Sequence, residues 1–217
     1  MQATLNYPEA NNFLNFLKTK CEPEKVNKAM SDYNIGTSAK WPGAAIFWQL
    51  DANNNIRTGK IAQYDKVSGE IISTPREKVS WVHYAYKQYG YEAKECLYGE
   101  HLLSCRPFYP IGLVETEKSA IVASMFKPEF VWLSVGRSCN LNVEFCENLK
   151  GREIRVYPDA DVLVNWSKKI KEISRHIPMT IGSLSQGNSR FHRKYTYRSI
   201  GEFLLNNQDL KLYYGDE

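Results

Sequence analysis

Ile111-Gly112-Leu113-Val114-Glu115-Thr116-Glu117-Lys118-Ser119-Ala120 and, further on, Arg155-Val156-Tyr157-Pro158-Asp159-Ala160-Asp161 are the two stretches whose reading decides the fold. Each is a short apolar run that reads as a buried strand and delivers carboxylates at its C-terminal end. After Glu115, residues 118–125 have helical composition. After Asp161, residues 162–173 repeat the move, with apolar side chains at Val162, Val164, Trp166 and Ile170. A strand–helix, strand, strand–helix order predicts a parallel sheet with helices on its faces. Ligands of open α/β sheets bind in the crevice at the carboxyl ends of the strands. Glu115, Asp159 and Asp161 meet there if the two strands are neighbours.

Three carboxylates in one crevice repel one another unless a cation lies between them. Mg²⁺ suits such a place, because it takes oxygen ligands and is commonly held by one or two carboxylates plus substrate phosphates. A plainer reading competes: acidic residues at strand ends also form turns and cap helices, and Asp161 is placed to cap the helix that follows. Spacing alone leaves both open.

The arrangement resembles the toprim domain shared by bacterial DNA primases, topoisomerases, and the OLD-family and recombination-repair proteins. Its marks are a glutamate after a hydrophobic strand, here Leu113-Val114-Glu115, and a later D-x-D, here Asp159-Ala160-Asp161. Between them, Val131-Trp132-Leu133-Ser134-Val135-Gly136 is similar to the middle strand of that domain, which ends in glycine. Two positions depart from the pattern. Thr116 stands where a glycine usually follows the glutamate, and Ser119 where many primases carry a further acid, while Glu117 adds a carboxylate of its own. The resemblance implies that Glu115, Asp159 and Asp161 are catalytic and hold Mg²⁺ or Mn²⁺, with Glu117 as an added ligand.

The segment before this core has the other period. Residues 1–32 read as a polar start and one or two helices, with Phe13, Leu14, Phe16 and Leu17 on an apolar face and Pro23 restarting the helix. Ala44-Ala45-Ile46-Phe47-Trp48-Gln49-Leu50 reads as a strand, residues 51–55 as a turn, and residues 56–64 as a returning strand with Arg57 and Lys60 exposed. A turn at Ser68-Gly69 follows, and residues 79–83 read as a further strand. This hairpin order resembles the small lobe of bacterial primases, with Gly59-Lys60 where those enzymes have glycine-arginine. Cys96-Leu97-Tyr98-Gly99-Glu100-His101-Leu102-Leu103 is similar to the short helix that precedes their glutamate strand. The chain most resembles the primase-like toprim proteins of mobile elements and phages, many of which carry an N-terminal zinc ribbon that is not expected within these 217 residues.

The chain has 217 residues, 43% hydrophobic and 24% charged, enough for a substantial core. It has no apolar run long enough to span a bilayer and no signal-peptide core, so no membrane partner is expected. Five scattered cysteines without a C-x-x-C predict reduced cytoplasmic thiols and no zinc site. A formal charge of +4 is mild, so nucleic-acid binding would depend on where the charge lies. Two places concentrate cations with rings. One is the stretch of Tyr84, Tyr86, Tyr89 and Tyr91 with Lys87 and Lys94. The other is Arg190-Phe191-His192-Arg193-Lys194-Tyr195-Thr196-Tyr197-Arg198, after the turn-rich residues 182–187 and before a last helix at 200–206. Either can clamp single-stranded nucleic acid or be a solvated or partly buried surface. His83 and His101 read as structural, and Trp81, Trp132 and Trp166 as core.

The expected fold is α+β followed by α/β: a small antiparallel primase-like lobe with N-terminal helices (1–105), a toprim-like parallel sheet flanked by helices (106–180), and a C-terminal basic and aromatic segment with a helix (181–217). The expected function is metal-dependent, primase-like nucleotidyl transfer on single-stranded DNA. A toprim nuclease and a non-catalytic nucleic-acid-binding module are the alternatives. Phosphate-contact candidates are Arg57, Lys60, Lys118, Arg137, Arg190, Arg193, Lys194 and Arg198. Single-stranded DNA, nucleotides and a helicase or other replication protein are the partners the resemblance implies. No P-loop is present and no tyrosine stands out as a nucleophile, which argues against a helicase or topoisomerase.

Overall fold

Asp51 shows how closely local chemistry shapes the first half of the chain. The structure, a computed structural model, describes residues 1–87, 90–91, 93–182 and 197–207. Strand β2 (Ala44–Leu50) is buried at every position and pairs antiparallel with β1 (Ile35–Ser38) and β3 (Ile56–Ala62), while β4 (Val79–Trp81) extends the sheet beyond β3. The turn between β2 and β3 is built on the Asp51 carboxylate. It accepts the backbone N–H groups of Asn53 and Asn55 at 2.9 Å each, the Asn55 amide at 3.1 Å and the Arg57 Nε at 2.8 Å. Asn tolerates the positive φ of 63° that the turn needs at Asn54.

Both faces of this sheet are covered. On one, α1 (Asn12–Lys20) delivers Phe13 to Phe47 and Tyr64, with ring centroids 5.4 and 4.8 Å apart, and Tyr98 closes on Phe47 at 5.8 Å. Asn11 fixes the start of α1: its Oδ1 accepts the Leu14 N–H, and its amide donates to the Gly36 carbonyl of β1. Helix α2 (Pro23–Asp32) begins at its proline and buries Val26 and Ala29. On the other face, Ile46, Trp48, Leu50 and Ile61 gather around Val82. Gly59 makes room for it, since a Cβ there would lie 2.8 Å from a Val82 methyl. That seat turns the chain into a helical turn, α3 (Val82–Ala85), so the strand expected over residues 79–83 ends at Trp81.

The second half has the parallel sheet. Its order is β6-β5-β7-β8, with β5 (Ile111–Val114) between β6 (Val131–Ser134) and β7 (Ile154–Tyr157), and β8 (Thr180–Ile181) at the edge. Gly112 lies opposite Trp132, whose ring occupies the place of the missing side chain and meets Tyr157 at 5.3 Å. Helix α5 (Glu117–Phe126) is apolar nearly all round because it is covered twice, by the sheet and by the last helix, α7 (Ile200–Asn206). The link between β7 and β8 carries α6 (Leu163–Ile173), which buries Trp166, Ile170 and Ile173 along one face.

Contacts divide the chain into two units, Met1–Leu102 and Leu103–Glu217. The architecture is thus a helix-backed antiparallel sheet followed by a parallel sheet flanked by helices, the expected fold class. Three details differ. Residues 96–101 are not helical, and only Leu102–Cys105 forms a helical turn, α4. Arg57 and Lys60 are half-buried rather than exposed, Arg57 because it is drawn onto Asp51 at 2.7 Å. Strands β1 and β8 were not anticipated; each is short and has no regular alternation. All five cysteines are free, and among the described residues no helix is long and apolar enough to cross a membrane.

Candidate functional site

Val114 of β5 pairs with Tyr157 of β7, so the chain segments carrying Glu115 and Asp159 leave neighbouring parallel strands at the same end. The ladder on the other side runs on past β5: the Glu115 carbonyl accepts the Gly136 N–H at 2.9 Å, and Gly136 turns away with a φ of 71°. Glu115 is half-buried, Asp159 half-buried and Asp161 exposed. Helix α6 starts from Val162 with no side-chain cap, so Asp161 does not serve as its cap.

Asp159 is the most perturbed group here. Burial, then the charges of Glu115 and Asp161, push its carboxyl up to about 7, with Arg198 opposing and Glu202 adding to the rise. Its Oδ1 is buried without a hydrogen-bond partner. Among the described residues no three His, Cys, Asp or Glu side chains close into a metal-ligating group. The donors nevertheless suit a hard divalent ion in kind: oxygen ligands, surplus negative charge and one unsatisfied buried oxygen. Glu117, the fourth expected carboxylate, is 1% exposed in the first turn of α5, where the helix dipole favours an anion.

The two departures from the toprim pattern are hydrogen-bonded to each other. Thr116 caps α5 by accepting the Ser119 N–H at 3.2 Å, and its hydroxyl donates to Ser119 Oγ at 3.0 Å. Ser119 is also where α7 docks: a Cβ on Gly201 would lie 3.0 Å from Ser119 Cα.

Of the basic candidates in this unit, Lys118 is half-buried on α5, Arg137 is exposed just past Gly136, and Arg198 is exposed beside the acidic loop, its carbonyl accepting the Ala160 N–H at 2.8 Å. Arg57 and Lys60 lie on β3 of the first unit. Arg190, Arg193 and Lys194 lie outside the described residues. His101 is buried, its Nε2–H donating to the Asp32 carbonyl at 2.9 Å, and is structural.

Glu202 is a neighbour of this site that the sequence reading missed. Its backbone N–H donates to Ser199 Oγ, and its carboxylate accepts the Arg198 N–H at 2.7 Å. The spacing Ser199-x-x-Glu202 is a capping-box signature and would have located the helix start, though not its docking beside Asp159.

A family model described as "Domain of unknown function (DUF6371)" matches residues 11–160. No curated protein matches the chain. Solved structures with a similar fold include a chain of the bacteriophage T7 assembly in which lagging-strand DNA polymerase interacts with primase domains of two gp4 subunits bound to an RNA/DNA hybrid and dTTP. Identity to it is 16%, the match covers 84% of this chain and 81% of that one, and the TM-score is 0.52. The primase fragment of the bacteriophage T7 primase-helicase protein matches at 17% identity, over 84% of this chain and 66% of that one, with a TM-score of 0.50. At these identities the likeness is one of fold, and the fold is primase-like.

Proposed function

The chain belongs to the DUF6371 family, a domain of unknown function, and from that premise we propose that it is a toprim-type, metal-dependent enzyme of nucleic acids whose reaction is primase-like nucleotidyl transfer on single-stranded DNA. One observation carries the reading: Asp159, with an unsatisfied buried oxygen and a carboxyl pushed up to about 7, lies among Glu115 and Asp161 at the carboxyl end of a parallel sheet. Such a group is stabilised by a cation, and perturbed carboxylates in a strand-end crevice are characteristic of functional sites.

Glu115, Asp159 and Asp161 would hold Mg²⁺ or Mn²⁺, whose contribution when bound is to offset charge building on phosphoryl oxygens. Lys118, Arg137 and Arg198 serve phosphate oxygens as neighbouring cations. Single-stranded DNA and nucleotides are the substrates of this reading, in the cytoplasm and alongside a helicase or other replication protein. A second reading, a binding module that has lost catalysis, has its own support in the Thr116–Ser119 pair, which replaces the glycine and the acid of the pattern.

Calorimetric titration with Mn²⁺ separates the two. Wild type is expected to bind saturably and Asp159→Ala to lose that binding. Incubation with single-stranded DNA and labelled nucleotides should then yield a metal-dependent extended oligonucleotide; cut DNA instead would make the enzyme a nuclease. A wild type that binds no Mn²⁺ sinks the enzymatic reading and leaves the binding module.

A further inference from the structure

On the first unit, four rings form a continuous series that runs from the core to solvent. Trp81 is buried at the end of β4, and its ring centroid is 6.2 Å from that of His83. His83 lies 4.2 Å from Tyr84 and 6.1 Å from Tyr91. The outer two are open to water: Tyr84 is 73% exposed and Tyr91 is 45% exposed. Exposed apolar groups that lie together, unlike single ones, mark interaction surfaces.

His83 and Tyr91 are held by their polar atoms rather than by their ring faces. His83 Nδ1 is hydrogen-bonded to Thr58 Oγ1 at 2.9 Å, and the Tyr91 hydroxyl donates to the Arg57 carbonyl. Both anchors lie on β3, so the rings are fixed by a sheet rather than by a loop alone. Ring orientation set in advance lowers the entropy lost when something stacks on it. The cations nearby suit a polyanion: Lys87 and Lys94 are exposed in the same stretch, and the Arg57 side chain stays 39% exposed although it is paired with Asp51.

We propose that Tyr84, His83 and Tyr91 form a base-stacking platform for single-stranded nucleic acid, with Lys87 and Lys94 on its backbone phosphates. Exposed aromatic faces with interleaved cations are the combination by which proteins take single strands without reading sequence. Among the described residues of this stretch the exposed side chains are tyrosine and lysine. The platform rests on the reading of the chain as a nucleic-acid protein and adds where, and through which part of the nucleotide, the strand is held.

The test is fluorescence anisotropy of the full chain with a labelled oligothymidylate and with an abasic oligonucleotide of the same length. Tyr84 carries the test because so exposed a side chain can be truncated without opening the core. Wild type is expected to bind the oligothymidylate more tightly than the abasic strand. Tyr84→Ala should lose about tenfold on the oligothymidylate and little on the abasic strand, in line with what one base–ring stack contributes. Tyr84→Phe should stay within about twofold of wild type, and Lys87→Ala should lower the salt slope by about one while preserving the preference for bases. If Tyr84→Ala keeps the wild-type preference for bases, the platform is wrong while the nucleic-acid reading stands. If wild type binds neither strand, both fail together.

Discussion

At Asp159 the fold makes a negative charge costly. Its carboxyl, raised from 3.8 to about 7, prefers the proton in the folded chain. Folded protein therefore keeps that proton between these two pH values while unfolded protein gives it up, and stability falls as pH rises across the window. Asp159→Asn removes the penalty. It is expected to be about 1–3 kcal/mol more stable than wild type at pH 8, allowing for partial solvent screening, and equal to it below the unfolded value near 3.8. Urea unfolding at the two pH values checks this, and the same variant should bind no Mn²⁺. Gln49, in the middle of β2, presents a related case. It is buried with neither amide atom hydrogen-bonded. Gln49→Met keeps the volume and removes the unsatisfied atoms, so its urea midpoint should rise by the equivalent of about 1 kcal/mol.

At the scale of elements, β5 owes its place to Gly112. The rings of Trp132 and Tyr157, from the strands on either side, meet across it, and a Cβ would lie 2.4 Å from the Trp132 ring. Gly112→Val is expected to destabilise the second unit by about 2 kcal/mol or more, read from its unfolding midpoint, because a close-packed interior cannot take the extra methyls without moving the indole. Here too lies the boundary of what the chain discloses unaided. The apolar runs at 111–114, 131–134 and 154–157, each ending in carboxylates or glycine, were legible because buried parallel strands have few alternatives in composition. The helix imagined over Cys96–Leu103 was not realised, since Tyr98 and Leu97 are pulled into the core and Glu100 accepts the backbone N–H groups of Ala52 and Leu97, a turn that no local periodicity announces. Glu115 and Asp159 could be named from their positions after strands. Glu202 could not, because its closeness to Asp159 depends on the docking of α7 on α5, a contact between residues far apart in the chain.

At the scale of the molecule, the pH response of stability is shared between groups shifted in opposite ways. His101 in the first unit has its pKa lowered by burial from 6.5, against the pull of its bond to the Asp32 carbonyl. Below 6.5 the unfolded chain takes up a proton that the folded chain refuses, so this contribution is present above that pH and lost as pH falls. Asp51 acts in the same sense further down. Burial alone would raise its pKa, but the hydrogen bonds from Asn55 and Asn53 and the charge of Arg57 together lower it below 3.8, and its contribution disappears as acid protonates it. Between pH 7 and pH 5 the loss from His101 opposes the gain from Asp159, so it is in an Asp159→Asn background that unfolding free energy should slope downward as pH falls, and adding His101→Gln should flatten that slope. A slope unchanged in the variant would assign it elsewhere.

The docking of Gly201 on Ser119 also has a bearing on biosynthesis. The strand and helix that carry Glu115 are made near the middle of the chain, yet the cover over that helix comes from residues 200–206. A nascent chain that has emerged only as far as β8 shows the ribosome's surroundings a helix with one apolar flank bare. The second unit can close only after α7 has left the exit tunnel, so translation pausing between β8 and α7 should prolong the interval in which chaperones recognise this protein.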